Sequence, residues 1–133
     1  PTLEELKTQS LDIFKDTDFP EIGWQETRAK YIDHQLLEKQ LQTLKDNWNN
    51  IKARLQQQIV PFEEAKARLA TVGAPTEPEH IGITREKLKL TFVRAQYIRR
   101  RFTILDLAVR TGYLDQWLDQ LFGKDGIWKL SMN

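Results

Sequence analysis

Six large apolar residues, Leu37, Leu41, Leu44, Trp48, Ile51 and Leu55, recur at spacings of 4, 3, 4, 3 and 4. Only the 3.6-residue period of an α-helix returns such a set to one face, because alternation along a strand would split it between two. The spacing predicts one long helix across "DHQLLEKQLQTLKDNWNNIKARLQQQI" with Gln and Asn on its solvated side. The stripe lasts under three heptads, which fits a core-facing helix or one arm of an antiparallel hairpin, with a coiled-coil dimer as the other arrangement. Pro61 stops this helix and suits the first turn of the next, "PFEEAKARLATVG". There Phe62, Ala65, Leu69 and Val72 line up and Gly73 offers a left-handed C-terminal cap. Two antiparallel helices are the expected result.

Upstream, Thr2 and Glu5 stand at the separation of a capping box, and Leu3, Leu6, Ser10, Ile13 and Phe14 mark one face of a first short helix. "FPEIGW" interrupts it, and a second short helix is expected from about Gln25 toward Ile32. Downstream, "VGAPTEPEHIGI" reads as an ordered corner. Pro75 and Pro78 restrict its backbone, Thr76 can cap the turn "EPEH", Gly82 permits a second reversal, and Thr84 caps the helix that follows. In "REKLKLTFVRAQYIRRRF" the first residues alternate like a strand, but Leu88, Phe92, Ala95, Ile98 and Phe102 keep helical spacing, so one amphipathic helix is expected. Thr103 opens a helix broken at Gly112. "LDQWLDQLFG" gives the last, with Leu114, Trp117, Leu118 and Leu121 inward and Gly123 as its cap, before an irregular tail "KDGIWKLSMN". No segment reads as a strand, and the chain is expected to be all-α, a multi-helix bundle in a single domain or fragment of 133 residues.

Composition narrows the chemistry. Twenty Lys and Arg against nineteen Asp and Glu leave a net charge of +1, which does not advertise a nucleic acid or an anionic membrane. Cysteine is absent, which removes disulfides, thiolate catalysis and Cys-containing zinc sites. The N-terminus has neither the basic start nor the apolar core of a signal peptide, and no apolar run approaches a membrane span; a cytoplasmic protein is expected. The chain opens on Pro1, as a piece cut from something longer would.

No glycine-rich dinucleotide turn and no phosphate-cradling P-loop occur. His34 and His80 lie far apart without a metal-binding frame, and His80 is expected to be structural or solvent-facing. Serine occurs only at Ser10 and Ser131, neither beside a plausible base. One basic run, "IRRRF" at residues 98–102, admits three roles: a solvated face, a site for a phosphate-type ligand, or a nucleic-acid contact. Arg94, two helical turns upstream of Arg101, is expected to extend that charge along the helix. The four tryptophans form no sequence cluster that would serve as a stacking platform.

"VGAPTEPEHIGITREKL" followed by "RAQYIRRRFTILDLAVRTGYLDQ" resembles the C-terminal part of the sn-glycerol-1-phosphate dehydrogenases. That group belongs with the iron-containing alcohol dehydrogenase and glycerol dehydrogenase-like enzymes and is related to dehydroquinate synthase. The upstream "YIDHQLLEKQLQTLKDNWNNIKARL" resembles the helical stretch before the corner, so the likeness spans roughly residues 26–122. It implies a helical C-terminal domain whose partner is an N-terminal Rossmann-like domain, absent from these residues, with the active site in the cleft between them. It also implies reduction of dihydroxyacetone phosphate to sn-glycerol 1-phosphate with NAD(P)H and a divalent metal, zinc, nickel or iron, in a homo-oligomer without nucleic-acid or membrane partners. The metal acts as a Lewis acid on the carbonyl. The family's metal ligands, an Asp and two His, lie upstream of the matched segment, so no catalytic, cofactor-binding or metal-binding residue is assigned in this chain.

The likeness departs from the family at two positions. An acidic residue is expected within the Ile-Arg-x-Arg run and a Tyr before the Thr, where this chain has Arg100 and Phe102. Arg99 and Arg101 are expected to pair structurally first and to neighbour a substrate phosphate second. The alternatives are a glycerol dehydrogenase-like polyol oxidoreductase and a stand-alone helical interaction module using the Leu37 to Leu55 stripe or the arginine run.

Overall fold

In a computed structural model, residues 1–130 are described, and among them the chain is helical throughout with no strand. The last three residues of the tail, Ser131 included, lie outside the described residues. The described residues form seven α-helices in order: α1 Leu3–Phe14, α2 Pro20–Arg28, α3 His34–Gln58, α4 Phe62–Thr71, α5 Arg85–Ala95, α6 Ile104–Thr111 and α7 Leu114–Phe122, with a 3₁₀ turn at Pro78–Ile81. None is long and apolar enough to cross a membrane.

The chain divides into two compact units. The first joins Pro1–Asp33 to the described part of Arg85–Asn133, and the second is His34–Thr84. In the first, α1 begins as expected: the Thr2 hydroxyl accepts from the Glu5 amide at 3.2 Å, and the Glu5 carboxylate accepts from the Thr2 amide at 2.8 Å. This satisfies two donors that no helical carbonyl can reach. Helix α2 starts five residues before the expected position, with Pro20 in its first turn rather than as an interruption, and it ends at Arg28. Proline's fixed φ suits that position and its missing N–H costs nothing there. α1 and α2 pack closely because Gly23 is bare: a β-carbon on it would sit 2.8 Å from Phe14 Cδ2. Phe14 is buried and meets buried Tyr97 edge to face at 6.3 Å.

Helix α5 corrects a second expectation. It ends at Ala95, and the Tyr97 amide closes the last turn on the Arg94 carbonyl at 2.9 Å. Ending there buries Tyr97 against Phe14 and Gln96 in the interior. Ile98 and Phe102, expected on the inward stripe, are instead 46% and 54% exposed. Helices α6 and α7 follow the expected boundaries. Gly112, at φ 75°, closes α6 with amide bonds from Gly112 to Val109 and from Tyr113 to Ala108. Leu118 and Phe122 of α7 are buried, and the tail returns so that Trp128 lies 5.9 Å from both Phe92 and Phe122, whose own rings are 5.8 Å apart.

In the second unit α3 forms over the expected span, but no residue from its start to the end of α4 is buried. Neither helix of the expected antiparallel pair therefore carries a fully buried residue. Leu37, Leu41, Leu44 and Ile51 are half-buried, while Trp48 and Leu55 are 46% and 39% exposed. Gly73, at φ 69°, caps α4 through bonds from the Gly73 amide to Ala70 and from Ala74 to Leu69. Lys66 of α4 pairs with Glu77 of the corner. The corner itself is ordered: Gly82 turns it at φ 71°. Thr76 contributes its amide rather than a capping hydroxyl, donating to His80 Nδ1 at 3.3 Å.

Candidate functional site at the arginine turn

The residues singled out for anion binding sit in the turn between α5 and α6, within the first unit. Because α5 stops at Ala95, the arginines share no helical face, and each has a separate environment. Arg94 donates from Nε to the Ile13 carbonyl at 3.1 Å, with its guanidinium 5.7 Å from the Phe14 ring centre. It serves the contact with α1.

Arg100 is the paired member of the run. Its Nε and Nη2 donate to Glu26 Oε2 and Oε1 at 3.1 and 2.6 Å, and its amide donates to Oε2 at 3.0 Å. This forked arrangement matches guanidinium to carboxylate geometry. The Arg100 side-chain bonds hold the Glu26 carboxyl below the usual carboxylate range, and the same bonds raise the Arg100 guanidinium. Arg99 and Arg101 are exposed and make no hydrogen bond or ion pair among the described residues. The structural pairing expected first of Arg99 and Arg101 is therefore not formed among the described residues, and both keep their guanidinium groups open to solvent. Phe102 lies under Arg110, whose guanidinium is 4.8 Å from the ring centre. Both positions that depart from the family pattern, Arg100 and Phe102, therefore have partners of their own within the chain.

Beneath the turn lies a polar network that sequence reasoning missed. Lys30, just after α2, donates from Nζ to Asp106 Oδ1 and to the Gln96 carbonyl. The Lys30 and Asp106 side chains are only 7% and 10% exposed. Asp106 Oδ2 also accepts from the Thr103 amide at 2.7 Å and the Thr103 hydroxyl at 2.8 Å. Arg110 Nη2 donates to the Lys30 carbonyl at 3.0 Å, and the Thr27 hydroxyl reaches the Tyr97 carbonyl at 3.4 Å. The turn is thereby held at both ends, at Gln96 and Tyr97 and again at Thr103. Burial pushes the Tyr97 hydroxyl above its usual range. Thr103 and Asp106 stand at a capping separation that was a legible signal; the reach of Lys30 to Asp106 across 76 positions was not.

The histidines take local roles. His34 Nδ1 lies 3.4 Å from Glu38 Oε1 within α3, and His80 accepts from Thr76. Among the described residues no three His, Cys, Asp or Glu side chains gather as a metal site. What the turn can do chemically is present two unpaired cations, Arg99 and Arg101, on a braced backbone. Comparison of the chain with protein-family models, with curated proteins and with solved structures found no match.

Proposed function

We propose that this chain is the helical C-terminal part of an NAD(P)H- and metal-dependent sn-glycerol-1-phosphate dehydrogenase, with the dehydroquinate synthase-like, iron-containing alcohol dehydrogenase fold. The observation that carries this reading is the joint presence of "GAPTEPEHIGI" and "IRRRFTILDLA" at their separation, the first forming a glycine-turned corner and the second running into the capped start of α6. In this reading the chain supplies a helical wall of the catalytic cleft. Arg99 and Arg101 stand in the neighbourhood of the substrate phosphate, where guanidinium groups suit its charge and geometry. In this reading the metal and the nicotinamide are held outside these residues. Those groups belong with an N-terminal Rossmann-like domain in the same cytoplasmic homo-oligomeric enzyme.

The test is dihydroxyacetone phosphate reduction with NADH and NADPH, with zinc or nickel supplied, on these 133 residues and on the longest reading frame that contains them. Activity is expected only in the longer protein, and Arg99→Ala with Arg101→Ala should raise its KM for the phosphorylated substrate. Activity with glycerol but not with the phosphate would move the reading to a glycerol dehydrogenase-like enzyme. Inactivity of both proteins would overturn it. A second reading, a helical interaction module, is favoured by the exposure of Trp48 and Leu55 on the α3 stripe.

A further inference from the structure

From the register of the α3 stripe we infer that α3 pairs with a second copy of itself, antiparallel, around a two-fold axis level with Asp46. The inference is independent of the dehydrogenase reading. In heptad terms Leu37, Leu44 and Ile51 occupy one core position and Leu41, Trp48 and Leu55 the other. Reversing one copy about the axis sets Leu37 against Leu55, Leu41 against Ile51, and Leu44 against Trp48 of the second copy. Every stripe residue then has an apolar partner, and each layer occurs twice, as a two-fold interface demands. The large Trp48 meets the smaller Leu44 rather than another indole, which suits interdigitated packing.

Charge selects the same arrangement. Antiparallel pairing brings Glu38 beside Lys52 of the second copy, and by symmetry does so twice. Among the described residues Glu38 meets His34 within its helix, and Lys52 makes no bond. A parallel pair in the same register would create no opposite-charge pair within α3. One like-charge approach remains in the antiparallel pair, Lys45 near its own counterpart, and exposed lysines separate at small cost. The stripe from Leu37 to Leu55 runs about 27 Å at 1.5 Å per residue. Covering six stripe residues, four of them already half-buried, makes a small interface, so a reversible rather than a permanent dimer is expected.

The test uses these 133 residues, which need no background substitutions because they contain no cysteine. Sedimentation across a concentration series is expected to show a reversible species of twice the 15.7 kDa chain mass. Leu44→Glu and Trp48→Glu should each weaken association by about tenfold or more, since each buries a carboxylate among apolar groups. Neither residue is buried within the chain, so unchanged circular dichroism will show that the variants fold. For orientation, a mixture of Leu37→Cys and Leu55→Cys chains should form a mixed disulfide on mild oxidation, while neither variant should cross-link alone. A single chain mass at every concentration overturns the inference. So do disulfides formed by either variant alone, which report a parallel pair, or a dimer in which no combination cross-links, which puts the interface elsewhere.

Discussion

Replacing Asp106 by Ala removes the carboxylate that faces buried Lys30 and accepts both donors of Thr103. Lys30 is left 7% exposed with the Gln96 carbonyl as its remaining partner. Breaking one side of a buried ion pair typically costs about 3–5 kcal/mol, because the surviving charge is neither hydrated nor paired. Losing the helix cap at Thr103 adds about 1 kcal/mol. The total is a large share of the roughly 5–15 kcal/mol that keeps a domain folded. Lys30→Met should cost somewhat less, since Asp106 keeps its two Thr103 donors. The double variant Lys30→Met with Asp106→Leu should lose only about 2 kcal/mol, for the cap and the unsatisfied Gln96 carbonyl, because no charge stays buried. Urea unfolding followed by tryptophan emission reads these values in the right unit: Trp24, Trp117 and Trp128 belong to it, while Trp48 lies on α3. A cost under about 1 kcal/mol for Asp106→Ala, or single costs that simply add in the double variant, would refute the argument that this pair braces the arginine turn.

Three other outcomes are expected. Gly23→Ala should destabilise by about 1–3 kcal/mol through its clash with the Phe14 ring, and Phe14→Leu should relieve part of that loss in a thermal-melt double-mutant cycle. Gly82→Ala, at φ 71° with open space around it, should cost about 1 kcal/mol from backbone conformation alone, and Gly82→Asn less, measured by urea titration. The Glu26 carboxyl is depressed by Arg100, so the folded chain holds that proton less tightly than the unfolded one. Its contribution is present above the ordinary carboxylate range and lost as pH falls through and below it. Unfolding titrations of wild type and Glu26→Gln should therefore diverge at neutral pH and converge in acid; parallel pH profiles would remove the pair's role.

Local chemistry was legible wherever it acts within a few residues. Thr2 with Glu5, Gly73, Gly112 and the span of α3 all follow from rules of capping and period that need no knowledge of the rest of the chain. The end of α5 was not legible, because the apolar spacing continues through Ile98 and Phe102 while the helix does not. What stops it is the burial of Tyr97 on Phe14 and the capture of the Gln96 carbonyl by Lys30, contacts made across more than sixty positions. The arginine run changed meaning for that reason: three charges expected along a helix became one fork on Glu26 and two open cations.

By itself the sequence determined the all-helical character, the helix caps and the amphipathic stripe of α3, because hydrogen-bond closure and side-chain period are properties of neighbouring residues. Only the tertiary structure decided which of those stripes are covered. The face of α7 is buried under Phe92 and Trp128, whereas on α3 four stripe residues are only half-buried and Trp48 and Leu55 are exposed, although the two are equally plain as patterns. Periodicity states that a face is apolar; burial depends on what distant segment arrives to cover it, and that is settled by packing.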